Sequence, residues 1–193
     1  MRCGVLALQG DWAAHAAVLI NLGVETVLVR TAAEFETVDA LVLPGGESTA
    51  MLRLMEPESL AEKIAQRVRD GLPVLATCAG VILLATATDP VQPSLAVLDV
   101  EVERNAYGRQ VHSRVAAVEL SDLLGEPAVI ESVFIRAPRI TRIGPGVRVL
   151  GRLGDDPVLV RQGGIIAATF HPELTDDHRI HRLLVDEEAG HGR

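Results

Sequence analysis

Three segments of the chain combine residue types that could do chemistry together. The first is Ala76-Thr77-Cys78-Ala79-Gly80, set in the stretch VLATCAGVILLA. Small residues on either side of a cysteine permit a tight strand-turn-helix elbow that lifts the side chain above a sheet edge. A helix starting just after the sulfur points the positive end of its dipole at it and favours thiolate. The Ala79 amide would then face a developing oxyanion. A free cysteine is also among the most often buried residue types, so a plain core role for Cys78 stands beside the nucleophilic one.

The second segment is Phe170-His171-Pro172-Glu173. Pro172 drives His171 out of helical conformation, and in an extended chain residues i and i+2 share a side. Glu173 can therefore reach the His171 ring, fix its tautomer and stabilise an imidazolium. The third is Pro44-Gly45-Gly46-Glu47-Ser48-Thr49. Adjacent glycines let backbone N–H groups turn toward a ligand, so Gly46 could supply a second oxyanion donor. The same segment also reads as an ordinary strand-to-helix turn capped by Ser48 or Thr49. A phosphate loop is excluded, since GxxxxGK[ST] is absent and the single lysine is Lys63. A nucleophilic Cys, a distant His and a carboxylate two residues on make a thiol triad in outline.

The elements that must hold these residues follow from hydrophobic patterning. Apolar runs at 4–8, 24–29, 39–43 and 73–76 read as strands buried on both faces. Helical spacing covers 12–22, closed by Gly23, and 59–69, closed by Asp70-Gly71; residues 80–87 read as a short apolar helix. This β-α-β order predicts a parallel sheet covered by helices. From about residue 95 the pattern alternates, through LAVLDVEVER, RQVHSRVAAVEL, AVIESVFI, VRVLGRL and PVLVRQ, which predicts antiparallel strands. Gly163-Gly164 is a turn signal, and 176–188 reads as a terminal helix.

Composition bounds the function. The 193 residues are 48% hydrophobic and 23% charged, enough apolar content for one packed domain over 1–193 and too much for intrinsic disorder. Aromatics are only 3%, so the core must be aliphatic. With 18 basic and 26 acidic residues the formal charge is −8, which argues against a nucleic-acid partner. Cys3 and Cys78 are the only cysteines, and no metal-ligand spacing is present, so neither a disulfide scaffold nor a metal or other cofactor is expected. The longest uncharged run, 72–88, contains a proline and is short for a membrane span; a cytoplasmic location is expected.

The chain resembles the class I (triad) glutamine amidotransferases and, within them, the glutaminase subunits of pyridoxal 5′-phosphate synthases. The matching segments are GVLALQG at 4–10, LVLPGGEST at 41–49, TCAGVILLA at 77–85, RNAYGRQ at 104–110, FIRAP at 134–138 and TFHPELTDDHRIH at 169–181. TCAG and FHPE specify only the superfamily; PGGEST, RNAYGRQ and FIRAP are more specific. The resemblance implies a three-layer, flavodoxin-like open sheet, mostly parallel, with antiparallel strands in the C-terminal half. It implies that Cys78 attacks L-glutamine, that His171 is acid and base, and that Glu173 orients it. Gly46 and Ala79 would form the oxyanion hole, while Glu47, Ser48, Arg104, Ile135 and Arg136 would contact the substrate. Gln9 would sit near the site or a partner surface.

The same resemblance implies a (β/α)8-barrel synthase partner in an assembly of twelve plus twelve subunits, with ammonia passed between them. Three residues depart from the family pattern. Ala76 replaces a glycine, which requires a backbone not at positive φ. Ala14 stands where a glutamate is expected before His15, and Trp12 is unusual. The alternatives are another triad hydrolase of the flavodoxin-like superfamily, or a catalytically silent scaffold. The remaining histidines, His15, His112, His178, His181 and His191, show no paired ligand pattern and default to structural or solvent roles.

Overall fold

The computed structural model describes residues 1–104, 106, 113–121 and 128–191, without the side chains of 128 and 187–191. Most of RNAYGRQ and the first residues of the 109–120 strand, with His112, therefore lie outside the described residues.

Among the described residues, twelve strands and six α-helices follow in the order β1 (Arg2–Leu6), α1 (Trp12–Asn21), β2 (Glu25–Val29), α2 (Ala32–Phe35), β3 (Ala40–Leu43), α3 (Ser48–Met55), α4 (Leu60–Arg69), β4 (Val74–Thr77), α5 (Ala79–Leu84), β5 (Ala85–Asp89), β6 (Leu98–Glu103), β7 (Ser113–Leu120), β8 (Ala128–Ile135), β9 (Arg139–Ile143), β10 (Arg148–Leu153), β11 (Asp156–Gln162), β12 (Ile165–Ala168) and α6 (Arg179–His191). Nine strands form one sheet in the order β2-β1-β3-β4-β12-β11-β10-β7-β8. It is parallel from β2 through β12 and antiparallel from β12 to β8. The aliphatic runs of β1, β3, β4 and β12 occupy its centre because they are buried on both faces.

Alternation along those strands sends side chains into two cores. Leu41, Leu43, Val74 and Ala76 pack with Met51, Met55, Ile64 and Leu83 from α3, α4 and α5. Val42 and Leu75 face the other way and pack with Leu19 of α1, Phe170, and Ile180 and Leu184 of α6. Helices thus cover both faces of the sheet, which is the expected three-layer α/β arrangement. Gly23, at φ +77, ends α1 as its sequence position predicts, with Val24 N–H bonded to the Leu19 carbonyl at 3.0 Å.

Four local features differ from the sequence reading. Residues 80–87 are not one helix: α5 stops at Leu84 and β5 begins at Ala85. The alternating ATATD with its β-branched threonines, followed by Pro90, favours extended chain over further helix. A small second sheet, β5-β6-β9, uses this strand; β6 runs parallel to β5 and antiparallel to β9. The α2 turn was missed although Thr31 and Glu34 form a capping box, with Glu34 Oε2 accepting from Thr31 N–H at 2.9 Å. The terminal helix starts at Arg179 rather than residue 176 because Asp177 accepts from the Arg179 backbone N–H at 3.0 Å and marks the start.

Among the described residues, no helix is long and apolar enough to cross a membrane.

Candidate active site

The register of three adjacent parallel strands explains how distant residues meet. Ala76 of β4 lies between Leu43 of β3 and Ala167 of β12. All three strands therefore leave the sheet at one edge, the edge where open α/β sheets bind ligands. β3 delivers Gly45-Gly46-Glu47-Ser48, β4 delivers Cys78 one residue past its end, and β12 delivers His171 three residues past its end.

Cys78 sits at φ +46, ψ −103, a conformation costly for a residue with a Cβ. It is held there by its N–H bond to the Ala168 carbonyl, 2.9 Å, and by the start of α5. Gly80 lets that helix lie close on β3; a Cβ there would run into the Leu43 carbonyl oxygen. Ala76 lies inside β4 and is not among the positive-φ residues, so the alanine fits where a glycine was expected. The Cys78 side chain is nearly buried, with Sγ 3.7 Å from the Ile135 carbonyl oxygen.

His171 is tied to β8 through its N–H bond to the Val133 carbonyl, 2.8 Å. Its Nδ1 lies 2.7 Å from Glu173 Oε1, as the His-Pro-Glu spacing predicts. Gly45 is pressed between the partners: a Cβ there would meet His171 Cε1 and come within 3.3 Å of Cys78 Cβ. Burial alone would push His171 down, but its contacts with Cys78 and Glu173 outweigh that and hold it up at about 10. Burial would raise Glu173, yet His15 and His171 draw it down to about 2. These opposite shifts favour an imidazolium beside a carboxylate, next to Cys78.

These residues open onto a cleft of about 340 Å³, large enough for a small metabolite. Cys78, Ala79, His171, Gly46, Glu47, Ser48, Arg104, Ile135 and Arg136, all singled out from sequence, line it; Glu173 stands behind His171. Gly10, Asp11, Gly45 and Ile82 line it as well and were not singled out as site residues. Arg104 lies 3.6 Å from Glu47, so charges of opposite sign meet at the mouth of the cleft. Gln9 accepts a hydrogen bond from Glu47 N–H at 2.7 Å, and Asp11 N–H bonds to the Gly45 carbonyl at 3.1 Å. The glycine loop is thus strapped to the end of β1.

Two readings of this segment change. Glu47 caps α3, accepting from Thr49 N–H at 3.3 Å, in place of Ser48 or Thr49. Ser48 is instead buried, with its hydroxyl 3.0 Å from Gln92 Oε1. Trp12 is half-buried and carries the Arg30 guanidinium over its ring at 5.6 Å. His15 and His181, given a structural or solvent role by default from sequence, are fully buried behind Glu173. The available signal was the placement of His15 on the same helical face as the buried Val18 and Leu19.

Among the described residues, one group has metal-ligand proximity, Asp11, His171 and Glu173, and two of its members already bond each other within the triad.

Comparison with known proteins bears on the family and the fold. Residues 5–189 match the SNO glutamine amidotransferase family. The pyridoxal 5′-phosphate synthase subunit PdxT of Thermotoga sp. (strain RQ2) is 50% identical over 187 residues, covering 96% of this chain and 98% of that protein. The protein of the same name from Solibacter usitatus (strain Ellin6076) is 50% identical over 190 residues, with the same coverage. A crystal structure described as a glutamine amidotransferase superposes with a TM-score of 0.88 at 47% identity, covering 95% of this chain and 97% of that one.

Proposed function

The chain belongs to the SNO glutamine amidotransferase family, and from that premise we propose that it is the glutaminase subunit of a pyridoxal 5′-phosphate synthase. It hydrolyses L-glutamine to L-glutamate and supplies the ammonia to a synthase subunit. One observation carries the catalytic reading: a cysteine at a positive-φ elbow faces a histidine whose other ring nitrogen is 2.7 Å from a buried carboxylate.

In this reading Cys78 sulfur attacks the side-chain carboxamide carbon of glutamine, and the carbonyl oxygen becomes an oxyanion held by the Gly46 and Ala79 N–H groups. The C–N bond breaks as His171 gives its proton to the leaving nitrogen, releasing ammonia and leaving a γ-glutamyl thioester on Cys78. His171, now neutral, takes a proton from water, whose oxygen attacks the thioester. Glutamate leaves and the Cys78–His171 pair is restored. Glu173 keeps the ring oriented throughout. Arg104 and Glu47 offer opposite charges to the zwitterionic end of the substrate, while Ser48, Ile135 and Arg136 line its path. No cofactor enters any step.

The 193 residues act as one glutaminase domain docked on a (β/α)8-barrel synthase, in an assembly of twelve plus twelve. Ammonia released into neutral water becomes ammonium and loses its nucleophilicity, which favours delivery within a complex. Docking also favours turning the Gly45-Gly46 peptide so that its N–H faces the oxyanion. The Asp11 contact to the Gly45 carbonyl must break for that peptide to rotate. Ammonia release from glutamine, measured with and without the synthase subunit, tests this. The rate should rise on docking, and Cys78→Ala should abolish release while leaving the complex intact. Equal rates with and without the partner would remove the gating, and turnover by Cys78→Ala would remove the mechanism.

A further inference from the structure

A buried polar cluster lies on the far side of Glu173, and the steps above do not use it. His15 of α1 places Nε2 3.2 Å from Glu173 Oε2 and 3.0 Å from the Thr77 hydroxyl, and Nδ1 2.9 Å from His181 Nε2 of α6. The three side chains His15, Thr77 and His181 are fully buried. Thr77 is the last residue of β4 and precedes the nucleophile, so His15 joins the strand end that carries Cys78 to the carboxylate that orients His171. Glu173 Oε1 is taken by His171, whereas Oε2 is buried without an aligned hydrogen-bond donor; His15 Nε2 is its near neighbour, bonded to Thr77 and approaching Oε2 from the side.

The hydrogen positions follow from the chemistry of the neighbours. A carboxylate accepts only, so the His15 nitrogen beside Glu173 must carry hydrogen. In a neutral His15 the other nitrogen is then a bare acceptor, and His181 must donate to it from Nε2. That leaves Nδ1 of His181 as a bare lone pair, and this atom is buried without a partner. The reverse order would place two lone pairs, one of them anionic, 3.2 Å apart in a buried site.

We propose that His15 is a positioning residue for this reaction: with its hydrogen on Nε2, bonded to Thr77 and lying 3.2 Å from Glu173 Oε2, it ties the carboxylate to the end of β4, while His181 donates to its other nitrogen. A carboxylate bonded to His171 at one oxygen and drawn toward a buried N–H at the other keeps the His171 ring at one angle to Cys78, and misplacement of such a group slows catalysis without weakening substrate binding.

The kinetic consequence rests on the glutaminase reading above; the hydrogen-bond arrangement does not. Ring-nitrogen NMR of the full chain, labelled at histidine, therefore tests the arrangement without turnover. His15 should carry hydrogen on Nε2, and a bare Nε2 on His15 overturns the proposal. Kinetics of the complex with its synthase partner test the role. His15→Leu should lower kcat for glutamine roughly 10- to 100-fold with KM little changed. The His171 titration, followed by NMR, should move down as its carboxylate loosens. His15→Gln, which keeps a donor near the Nε2 position, should restore most of the rate. Unchanged kcat in His15→Leu, a rise confined to KM, or a Gln variant as impaired as the Leu variant would each overturn it. Where His15→Leu fails to fold, the tautomer measurement decides alone. Loss of turnover in Cys78→Ala with the predicted tautomer absent would sink this proposal and leave the glutaminase reading standing.

Discussion

Charge at the site is set by burial working against close partners, and the pH dependence of stability follows from it. His171 is raised from 6.5 to about 10, so its contribution is complete below about 6.5 and fades as pH rises toward 10. Glu173 is lowered from 4.5 to about 2, so its contribution is complete above about 4.5 and is lost as pH falls toward 2. His181 behaves oppositely to His171. Burial first, and then the neighbouring His15, lower it from 6.5 to about 3, so it stays neutral while the unfolded chain takes up a proton. Stability should therefore fall as pH drops from about 6.5 toward 4.5, a window in which Glu173 and His171 contribute little slope. Denaturant unfolding across that window checks this: His181→Gln should flatten the slope, and a slope unchanged in the variant would reject the assignment. The residues of the proposed triad were legible in the sequence because each has a local signature: small residues around Cys78, and Pro172 forcing His171 and Glu173 to one side. The histidines behind it were not legible. Their partners come from α1, β4, the turn after β12, and α6, and no short-range spacing encodes such a meeting.

At the level of elements, the site depends on loops that approach more closely than side chains usually permit. Gly45 is the case that touches the triad itself, since any Cβ there meets the His171 ring. Gly45→Ala should cost about 1–3 kcal/mol of stability through local overpacking. It should also cost activity by roughly 100-fold or more, because the ring must tilt away from Cys78. Thermal unfolding and glutamine turnover measured on the same preparation check both, and a variant with wild-type turnover would show that the loop can yield without moving His171. Sequence patterning located the central strands to within about two residues, because continuous aliphatic runs bounded by Gly and Pro leave few alternatives. It failed at residues 80–87, where Ala85 continues an apolar run across a real boundary. Periodicity cannot separate a buried helix end from a buried strand start, and only the Thr86/Thr88 alternation marked the change. It also placed the α3 cap on Ser48 or Thr49, because a glutamate is a less usual cap and Glu47 acts as one here through its side chain.

Taken as a whole molecule, the fold is a device for bringing three strand ends to one edge. β3, β4 and β12 are neighbours in the sheet although 91 positions separate Ala76 from Ala167, and pairing between such remote segments is what sequence patterning does not encode. The step from parallel to antiparallel pairing occurs at β12, beside the strand that carries Cys78, so the C-terminal half of the chain returns to supply His171 and its support from β8. The second sheet, β5-β6-β9, was absent from the sequence reading because β9 is a five-residue strand with Arg139 and Arg142 three positions apart, which breaks strand alternation, and its partner β6 lies far along the chain. The central claim is that Cys78 and His171 form one nucleophilic centre acting on glutamine. Mass spectrometry of the complex quenched during turnover tests it most directly. A mass increase of one γ-glutamyl group is predicted on the peptide containing Cys78, and none in Cys78→Ala. Continued glutamine hydrolysis with no adduct on that peptide, unaffected by the substitution, would contradict it.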